Sequence, residues 1–290
     1  MSAASDEPGS ARYRGGMLWT EADTAARIAV PDAFADKHRR GVLGAIVGSE
    51  RYPGAAVLGV EAAHRTGLGM VRLIAPRRVE DLVLARRPEV VTGEGRVEAW
   101  LVGSGQDARL RSPSLAATLH AALGSGAPIV LDAGALDLAA QAAGAAVVTP
   151  HHGELVRMLA HVGIETHADA VRRAPAEWAG RAAEAYDAVV LLKGAESLVA
   201  APDGSVIRLP PATHWLATAG SGDVLAGILG ALVATHAGEV HADAARLAEL
   251  AASAAVVHGL AAARASGGGP LVALDVAEAV PATIAALLAA

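Results

Sequence analysis

The sequence predicts an α/β fold in which a central, mostly parallel β-sheet lies between two layers of helices. Short apolar runs rich in β-branched residues recur along the chain, and alanine-rich segments of helical length separate them. This alternation is typical of βαβ units around a parallel sheet. Hydrophobic residues make up 53% of the chain but aromatic residues only 3%, so the core must be built from small side chains in close contact. Helices packed closely on a sheet suit that composition.

Six apolar runs are predicted to form the parallel strands. They cover residues 42–48, 70–75, 99–103, 128–132, 146–149 and 188–193, and most of them end in a glycine or a polar residue. In open α/β sheets, ligands bind beyond the carboxyl ends of the strands. We therefore expect these strand ends to form one functional edge.

The remainder of the chain is predicted to form a hairpin and then helices. Two β-rich runs, 197–201 and 205–209, flank the turn-forming residues 202–204, which indicates an antiparallel hairpin at the edge of the sheet. A buried helix over 224–234 and helices over 242–265 and 276–288 follow. No repeat or linker divides the chain, so we expect a single domain at 17–290 after a disordered tail at 1–16.

Composition argues against several classes of partner. A net charge of -6 and a pI near 6.0 disfavour nucleic acid, which is bound by an excess of basic residues. The chain has no cysteine, which excludes disulfides, thiol nucleophiles and thiolate metal sites. No secretory apolar segment is present at the start, and the most apolar run, 224–234, is too short to cross a bilayer. We expect a cytoplasmic protein with no membrane partner.

The strongest local motif is Ala219-Gly220-Ser221-Gly222-Asp223, which precedes the buried helix. Glycines allow the backbone N–H groups to face a ligand, and a helix N-terminus adds a partial positive charge, so Ala219–Gly222 is predicted to form an anion hole for phosphate. Asp223 has two interpretations. It could cap the helix, or it could accept a proton from a hydroxyl that attacks phosphorus.

A second motif is Lys193-Gly194 at the end of the last parallel strand. Lysine occurs only at Lys37 and Lys193, whereas arginine is abundant, which indicates that these two positions need a compact ammonium group. Gly194 would leave the backbone open to a nucleotide. The alternative is an ordinary solvated lysine at a strand end.

A third motif, 149–154, contains two adjacent histidines in a loop that leads into a helix. Pro150 ends the strand, and Glu154 suits the first turn of the helix. Neighbouring side chains point apart and no third ligand stands at a suitable spacing, so a metal site is not favoured. One of His151 and His152 is expected to contact a ligand.

Taken together and in this order, these segments resemble the NAD(P)H-hydrate dehydratase family of the ribokinase-like superfamily, over about residues 37 to 285. The matching pieces are Lys37 with Gly41, YPGAAVL at 52–58, VGSG at 102–105, TPHHGE at 149–154, LKGAES at 192–197 and ATAGSGDVLAGIL at 217–229. The resemblance implies the ribokinase-like three-layer α/β/α fold. It also implies repair of damaged nicotinamide cofactor, in which (S)-NAD(P)H hydrate returns to NAD(P)H while ADP is converted to AMP and phosphate.

The resemblance also assigns residues. Ala55, Gly105 and His151 would contact the hydrate, and Asp223 would act on its hydroxyl as the catalytic base. The adenine nucleotide, ADP or ATP in its place, would be held by Lys193, Gly194, Ala195, Glu196, Ser197 and Gly222. Mg²⁺ is expected with the nucleotide, although no protein ligand for a metal is identified.

The chain departs from the family pattern at three places. Members often carry Asp-Ala-Asp after the fourth strand, but this chain has Gly134 at the last position, which removes a carboxylate. Ala219 and Ser221 replace a glycine and a threonine of the anion hole, and Ser197 replaces a threonine. The change at Gly134 puts nucleotide or metal geometry in question, whereas the other changes keep the small size or the hydroxyl group.

Two other functions remain open from the sequence. A small-molecule kinase of the same fold, acting on a hydroxymethylpyrimidine or a thiazole, would use the same Asp223 and anion hole. A nucleotide-binding protein without catalysis would not need Asp223. We expect a homo-oligomer whose substrate is NADH hydrate or NADPH hydrate. The segment before Lys37 is too short for the epimerase domain that accompanies some relatives, and whether a separate NAD(P)H-hydrate epimerase acts with this protein stays open from the sequence.

Overall fold

A computed structural model describes residues 16–290, and the strands within that range form one sheet. Across the sheet they follow the order β1-β10-β9-β8-β7-β6-β5-β2-β3-β4. The strands are β1 (Met17–Leu18), β2 (Val42–Ile46), β3 (Met70–Leu73), β4 (Val91–Thr92), β5 (Ala99–Val102), β6 (Ile129–Leu131), β7 (Ala146–Val148), β8 (Val189–Leu192), β9 (Leu198–Ala200) and β10 (Val206–Arg208). Every pairing from β8 to β4 is parallel, so the carboxyl ends of these strands share one edge. We call that edge the rim.

Helices cover both faces of the sheet and give the three layers that the sequence predicts. One face packs on α2, α8, α10 and α11, and the other packs on α4, α5 and α7. The helices are α1 (Glu21–Ala25), α2 (Pro53–Thr66), α3 (Arg77–Arg86), α4 (Pro113–Leu123), α5 (His152–His161), α6 (Ala168–Arg173), α7 (Pro175–Tyr186), α8 (Ser221–Thr235), α9 (Ala237–Ala242), α10 (Ala245–Ser266) and α11 (Ala273–Ala289). The sheet is therefore buried on both sides.

Strand β8 shows why its residues are apolar without interruption. Val189 and Leu191 belong to the core on the α8 side, whereas Val190 and Leu192 belong to the core on the α7 side. Successive side chains of a strand point to opposite faces, so a strand covered on both faces needs apolar residues throughout. Lys193 is the first residue beyond this run, and it emerges at the rim.

Close packing of α8 on α2 depends on glycine, as the sequence suggests. A Cβ atom at Gly227 would lie 2.1 Å from the carbonyl oxygen of Gly59 in α2. No side chain fits in that space, so the two helices touch through their backbones. This contact places the start of α8 beside the start of α2 at the rim.

The predicted strands and hairpin are confirmed, and two short strands that were not predicted, β1 and β4, extend the sheet at its two ends. The six predicted runs match β2, β3 and β5–β8 to within two residues at each end, and β9 and β10 form the antiparallel hairpin. However, β1 pairs in parallel outside β10, so the hairpin does not form the outermost edge. Trp19 explains this addition, because it is 4% exposed and its indole N–H donates to Ser253 Oγ at 3.1 Å. Of the predicted tail, residues 1–15 lie outside the described residues.

Helix α10 is long and apolar enough to cross a membrane by length and composition. Within its most apolar window, 67% of the residues are buried inside the protein. It packs between α8, α11 and the sheet, as the core helix of an α/β protein does.

Candidate active site

A buried carboxylate, Asp132, organises the rim. It follows β6 and is 3% exposed. Its Oδ1 accepts hydrogen bonds from Thr149 Oγ1 at 2.7 Å and from Lys193 Nζ at 2.9 Å, and its Oδ2 accepts from Ser104 Oγ at 2.9 Å. These donors follow β7, β8 and β5, so one carboxylate joins four neighbouring strand ends. No role could be predicted for Asp132 from the sequence, because its partners are distant in the chain.

Asp132 and Lys193 are both charged in this arrangement. Burial opposes the ionisation of Asp132, but the charge of Lys193 and the hydroxyl donors outweigh it and hold the pKa of Asp132 below its usual range. Burial likewise disfavours the charged form of Lys193, yet the nearby carboxylates, chiefly that of Asp132, raise its pKa. The ammonium group is therefore fixed in place at the rim. This position agrees with the functional interpretation of Lys193.

The start of α8 has the backbone geometry that the predicted anion hole requires. Gly220 adopts a left-handed conformation, with φ of 88°, and precedes the helix without providing a side-chain cap. The N–H groups of the first turn have no helical acceptors, so they can bind an anion. Gly222 faces Lys193, since a Cβ atom there would lie 3.5 Å from Lys193 Nζ. Backbone dipoles and an ammonium group thus converge on one space.

Asp223 is the third residue of α8, and its environment differs from that of a helix cap. Among residues 16–290, no group donates a hydrogen bond to its carboxylate. Burial and repulsion by Asp132 raise the pKa of Asp223 to about 7, with Lys193 acting in the opposite direction. A carboxyl group with a pKa near neutrality suits general-base catalysis. The geometry therefore favours the base interpretation over the capping one.

A buried histidine lies beneath this turn. His258 of α10 is 7% exposed, and its Nε2 lies 3.3 Å from Ser221 Oγ. Burial is the main cause that lowers the pKa of His258 to about 4, so the ring is neutral near pH 7. The contact supports the first residue of α8 from inside the protein.

The predicted hydrate contacts Ala55 and Gly105 lie against each other. A Cβ atom at Gly105, whose φ is 68°, would stand 2.4 Å from the Cβ of Ala55 and 2.9 Å from the carbonyl oxygen of Tyr52. Ala55 is 8% exposed at the start of α2. Small residues are therefore required on both sides of this contact.

His151 has a structural role that the sequence did not reveal. It is the N-cap of α5, and its Nδ1 accepts hydrogen bonds from the N–H groups of Gly153 and Glu154 at 3.0 and 3.3 Å. Glu154 completes a capping box by accepting from the His151 N–H at 2.8 Å. The His151 side chain is nevertheless 56% exposed, so one edge of its ring remains available to a ligand.

His152 points toward the loop after β8 instead. Its ring lies against Gly194, where a Cβ atom would be only 2.8 Å from His152 Cε1. The two histidines therefore serve different parts of the rim. Within the described part of the chain, no group of three or more His, Asp or Glu side chains is arranged to hold a metal ion.

The loop after β8 borders a cavity of about 770 Å³. Ser197 closes the loop, because its Oγ donates to the Gly194 carbonyl at 3.1 Å and accepts from the Gly194 N–H at 3.2 Å. Ala195 and Glu196 line the cavity together with Ser197. Arginines from two other elements also line it, namely Arg172, Arg173 and Arg208. No role could be predicted for these arginines from the sequence, since arginines are scattered along the whole chain.

The structure explains the departure at Gly134. A Cβ atom there would lie 2.5 Å from the carbonyl carbon and oxygen of Gln106. A side chain at this position would therefore point toward the loop after β5 and not toward Lys193. The absence of a carboxylate at residue 134 leaves the Asp132–Lys193 pair unaltered.

The parallel rim and the uncapped, glycine-led helix place the chain in the ribokinase-like class of α/β proteins. Comparison with known proteins narrows this class. A family described as NAD(P)H-hydrate dehydratase matches residues 43–278. The chain belongs to the NAD(P)H-hydrate dehydratase family.

Individual relatives agree with this assignment. The bifunctional NAD(P)H-hydrate repair enzyme Nnr of Mycobacterium tuberculosis is 40% identical over 225 residues, which are 73% of this chain and 45% of that protein. The ADP-dependent (S)-NAD(P)H-hydrate dehydratase of Xanthomonas campestris pv. campestris is 37% identical over 71% of this chain and 76% of its own. The chain thus spans about half the length of the bifunctional relatives that it matches.

A solved structure shares the fold. The ADP/ATP-dependent NAD(P)H-hydrate dehydratase from Bacillus subtilis, co-crystallized with ATP/Mg²⁺, superposes with a TM-score of 0.81 at 26% identity, and covers 94% of this chain and 99% of that one. A hydroxyethylthiazole kinase from Pyrococcus horikoshii OT3 is more distant, with a TM-score of 0.56 at 18% identity. The dehydratase is therefore the nearer of these two folds.

Proposed function

We propose that this protein catalyses the ADP-dependent dehydration of (S)-NAD(P)H hydrate to NAD(P)H, with release of AMP and phosphate. The observation that carries the proposal is Asp223. It combines an unpaired carboxylate, a pKa of about 7 and a position at the uncapped start of α8, beside Lys193. A hydroxyl group held there would meet a base and an anion hole together.

The reaction follows from that placement. Asp223 accepts the proton of the ring hydroxyl while the hydroxyl oxygen attacks the β-phosphorus of ADP. The bond between the β-phosphorus and the bridging oxygen breaks, and AMP leaves with that oxygen. The N–H groups at the start of α8 and the ammonium group of Lys193 stabilise the charge on the transferring phosphoryl group. The ring nitrogen then expels phosphate with its electron pair, and loss of the adjacent ring proton restores the dihydropyridine.

We assign the nucleotide to the cavity beside the loop after β8. Lys193, Gly194, Ala195, Glu196, Ser197 and Gly222 would hold it, as the family pattern implies, and of these Ala195, Glu196 and Ser197 line the cavity itself. Arg173 adds positive charge to the cavity wall, which suits a polyphosphate, whereas Arg172 is paired with Asp169, and Glu177 and Glu196 also line the cavity. ADP is the proposed donor, and ATP is the alternative to be tested.

Mg²⁺ fits this site as an ion held largely by the nucleotide. Magnesium prefers oxygen ligands and usually keeps water and substrate phosphates around it, so a closed protein cage is not required. Both oxygens of Asp132 are engaged in hydrogen bonds, whereas Glu154 uses only Oε2 for its hydrogen bond. Glu154 would hold the ion, which would neutralise charge on the phosphates.

The absorbance of the NADH that is restored from its hydrate provides the test. Purified protein is mixed with NADH hydrate and either ADP, ATP or no nucleotide, and absorbance at about 340 nm is followed together with AMP and phosphate. Recovery of absorbance that requires nucleotide, with no accumulated phosphorylated product, supports the dehydratase. Accumulation of a stable phosphate ester would indicate the kinase, and nucleotide binding without turnover would indicate a binding protein.

The activity should rise with pH through about 7. Asp223 accepts a proton only when it is ionised, and its pKa is raised to about 7. We therefore expect kcat/KM for the hydrate to reach half its maximum near pH 7 and to fall as the pH decreases below that value. A profile from pH 5 to 9 measures this, and a limb near the ordinary carboxyl pKa of about 4 would contradict it.

Replacing His151 by alanine should raise KM for the hydrate more than KM for ADP. Because His151 also caps α5, the same change should cost about 1 kcal/mol of stability. His151→Asn separates these roles, since asparagine can cap a helix but lacks the ring. If His151→Asn restored normal KM for the hydrate, capping alone would explain the effect. His152→Ala, which changes the residue against Gly194, is the neighbouring control and should affect the hydrate less.

Three further proposals concern the context of this activity. We propose that residues 17–290 act as a single catalytic domain in the cytoplasm. We propose that the chain forms a homo-oligomer. An NAD(P)H-hydrate epimerase would supply the (S) form of the hydrate.

A further inference from the structure

A second cavity opens at the rim beside the proposed hydrate contacts. Its volume is about 680 Å³, and it lies between the loop after β5 and helix α5. Its lining includes Ala133, Gly134, Gln106 and Tyr52. It shares no lining residue with the cavity assigned to the nucleotide. We call it the α5 cavity.

The carboxylates that line the α5 cavity already have partners. Each accepts a hydrogen bond from an arginine or from the backbone. The pairs are Arg109 Nη2 to Asp107 Oδ2 at 3.0 Å, Arg111 Nη2 to Asp137 Oδ1 at 2.6 Å, and the His151 N–H to Glu154 Oε2 at 2.8 Å. Two of these negative charges are therefore matched by a guanidinium, and the third is stabilised by the start of α5.

Arg157 differs from these pairs. It lies on α5 and lines the cavity, and it has no hydrogen bond or ion pair with any residue of 16–290. Its guanidinium folds back toward the start of the helix, because Nη1 lies 3.9 Å from the point where a Cβ atom of Gly153 would stand. The cavity thus contains an uncommitted positive charge directed toward the His151 end of α5.

The departure at Gly134 has a counterpart here. The family pattern places a carboxylate at this position, whereas Gly134 lines the α5 cavity without one. The backbone of Gln106 fills the space that a side chain would need. The lining of the cavity therefore carries one carboxylate fewer than the family pattern would place there, and Arg157 is the arginine of that lining with no partner among the described residues.

We propose that the α5 cavity binds a phosphate group of the hydrate, with Arg157 as its ligand. This inference rests on the proposed function. The hydrate is a dinucleotide, so phosphates and a second nucleoside must extend away from the reacting ring. Gln106 directly follows Gly105, and a Cβ atom at Gly105 would lie 2.9 Å from the Tyr52 carbonyl oxygen. Because Gln106 and Tyr52 both line the α5 cavity, it begins where the proposed ring contacts end.

The second nucleoside also has space nearby. A cavity of about 510 Å³ shares Tyr52, Gln106 and Asp107 with the α5 cavity. Its wall includes the apolar side chains of Ile46, Ile74, Leu110 and Leu115. An apolar wall suits a purine base, and a guanidinium suits a phosphate. The two cavities together accommodate the half of the dinucleotide that does not react.

The test is Arg157→Gln, with KM measured for NADH hydrate, NADPH hydrate and ADP. A lost charge-assisted contact should raise KM for the hydrate about tenfold or more and leave KM for ADP unchanged. Equal effects on both hydrates assign Arg157 to the pyrophosphate, and an effect on NADPH hydrate alone assigns it to the 2′-phosphate. Arg109→Gln is the matched control, because Arg109 lines the same cavity but is paired with Asp107, and it should change KM less.

Two results would overturn the inference. One is an unchanged KM for both hydrates, and the other is a raised KM for ADP alone. Direct titration of each hydrate into parent and Arg157→Gln protein, without nucleotide, separates this inference from the proposed function. Binding by the parent without turnover, weakened by Arg157→Gln, would leave the phosphate site intact and reject the dehydratase. Absence of hydrate binding by the parent would reject both.

Discussion

Asp223→Asn is expected to restore NADH from its hydrate at least roughly a hundred times more slowly than the parent protein. Asparagine keeps the size of the side chain but cannot accept the hydroxyl proton, and removal of a general base costs about 10²–10⁴-fold in rate. ADP binding should persist, because the start of α8 and Lys193 remain. Initial rates at pH 8, with ADP binding measured by titration, provide the comparison. Turnover close to that of the parent would contradict the mechanism.

The same variant should be more stable than the parent at pH 8. Burial raises the pKa of Asp223 from 3.8 to about 7, so the folded state holds an ionised carboxylate there at a cost. This cost is present above pH 7 and disappears below the unfolded pKa of about 4, and it amounts to on the order of 2–4 kcal/mol. Denaturant unfolding of both proteins at pH 8 and pH 5 should show the gain shrinking toward low pH.

Asp275 offers a matched control for Asp223→Asn. It is likewise the third residue of its helix, α11, but it caps that helix by accepting from the Val272 N–H at 3.2 Å. Asp275→Asn should therefore leave turnover unchanged and bring no gain in stability. If both variants behaved alike, a helix-end effect would replace the catalytic explanation.

Replacing Asp132 by alanine should be the most damaging change to the fold of the rim. It leaves the ammonium group of Lys193 without its hydrogen-bonded carboxylate and deprives two hydroxyl donors of their acceptor. Removing one partner of a buried ion pair costs about 3–5 kcal/mol. Turnover should also fall by roughly a hundredfold, because small displacements of a positioning group are costly in catalysis. Unfolding in denaturant and assays well below the transition measure the two effects.

Asp137→Ala controls for the loss of an ion pair as such. Asp137 pairs with Arg111, but its side chain is 39% exposed, so we expect a loss of at most about 1 kcal/mol and, because Asp137 also lines the α5 cavity, an unchanged kcat measured at saturating hydrate. Asp132→Asn adds an independent readout. Since Asp132 raises the pKa of Asp223, the acid limb of the pH profile should move below 7 in that variant. An unmoved limb would show that the two carboxylates do not interact.

The features predictable from sequence are those with local patterns. Strand β8 can be recognised in the sequence as an unbroken apolar run. The glycines at the start of α8 can be recognised because they lie together in one short segment. Because parallel strands end at one edge, the meeting of Lys193 with Gly222 follows from the order of these pieces. The three-layer fold could be predicted for the same reason.

The remaining features depend on contacts between distant residues. Asp132 receives its hydrogen bonds from residues 17, 28 and 61 positions away, and no local pattern connects them. Strand β1 has only two residues, and it is held in place because the adjacent Trp19 is buried and donates a hydrogen bond to Ser253. The raised pKa of Asp223 likewise arises from burial and from Asp132, neither of which can be seen in the segment at 220–223.

His258, beneath the start of α8, contributes to how the protein responds to acid. The buried ring binds a proton only near pH 4, whereas an unfolded histidine binds one near pH 6.5. The unfolded chain therefore gains a proton between these values that the folded chain does not. This contribution of His258 to native stability is lost progressively as the pH falls from about 6.5 to 4, over a range in which protonation of Asp223 acts in the opposite direction. In molecules that stay folded the ring remains neutral over that range, so acid opposes folding at this site before it alters the contact between His258 and Ser221.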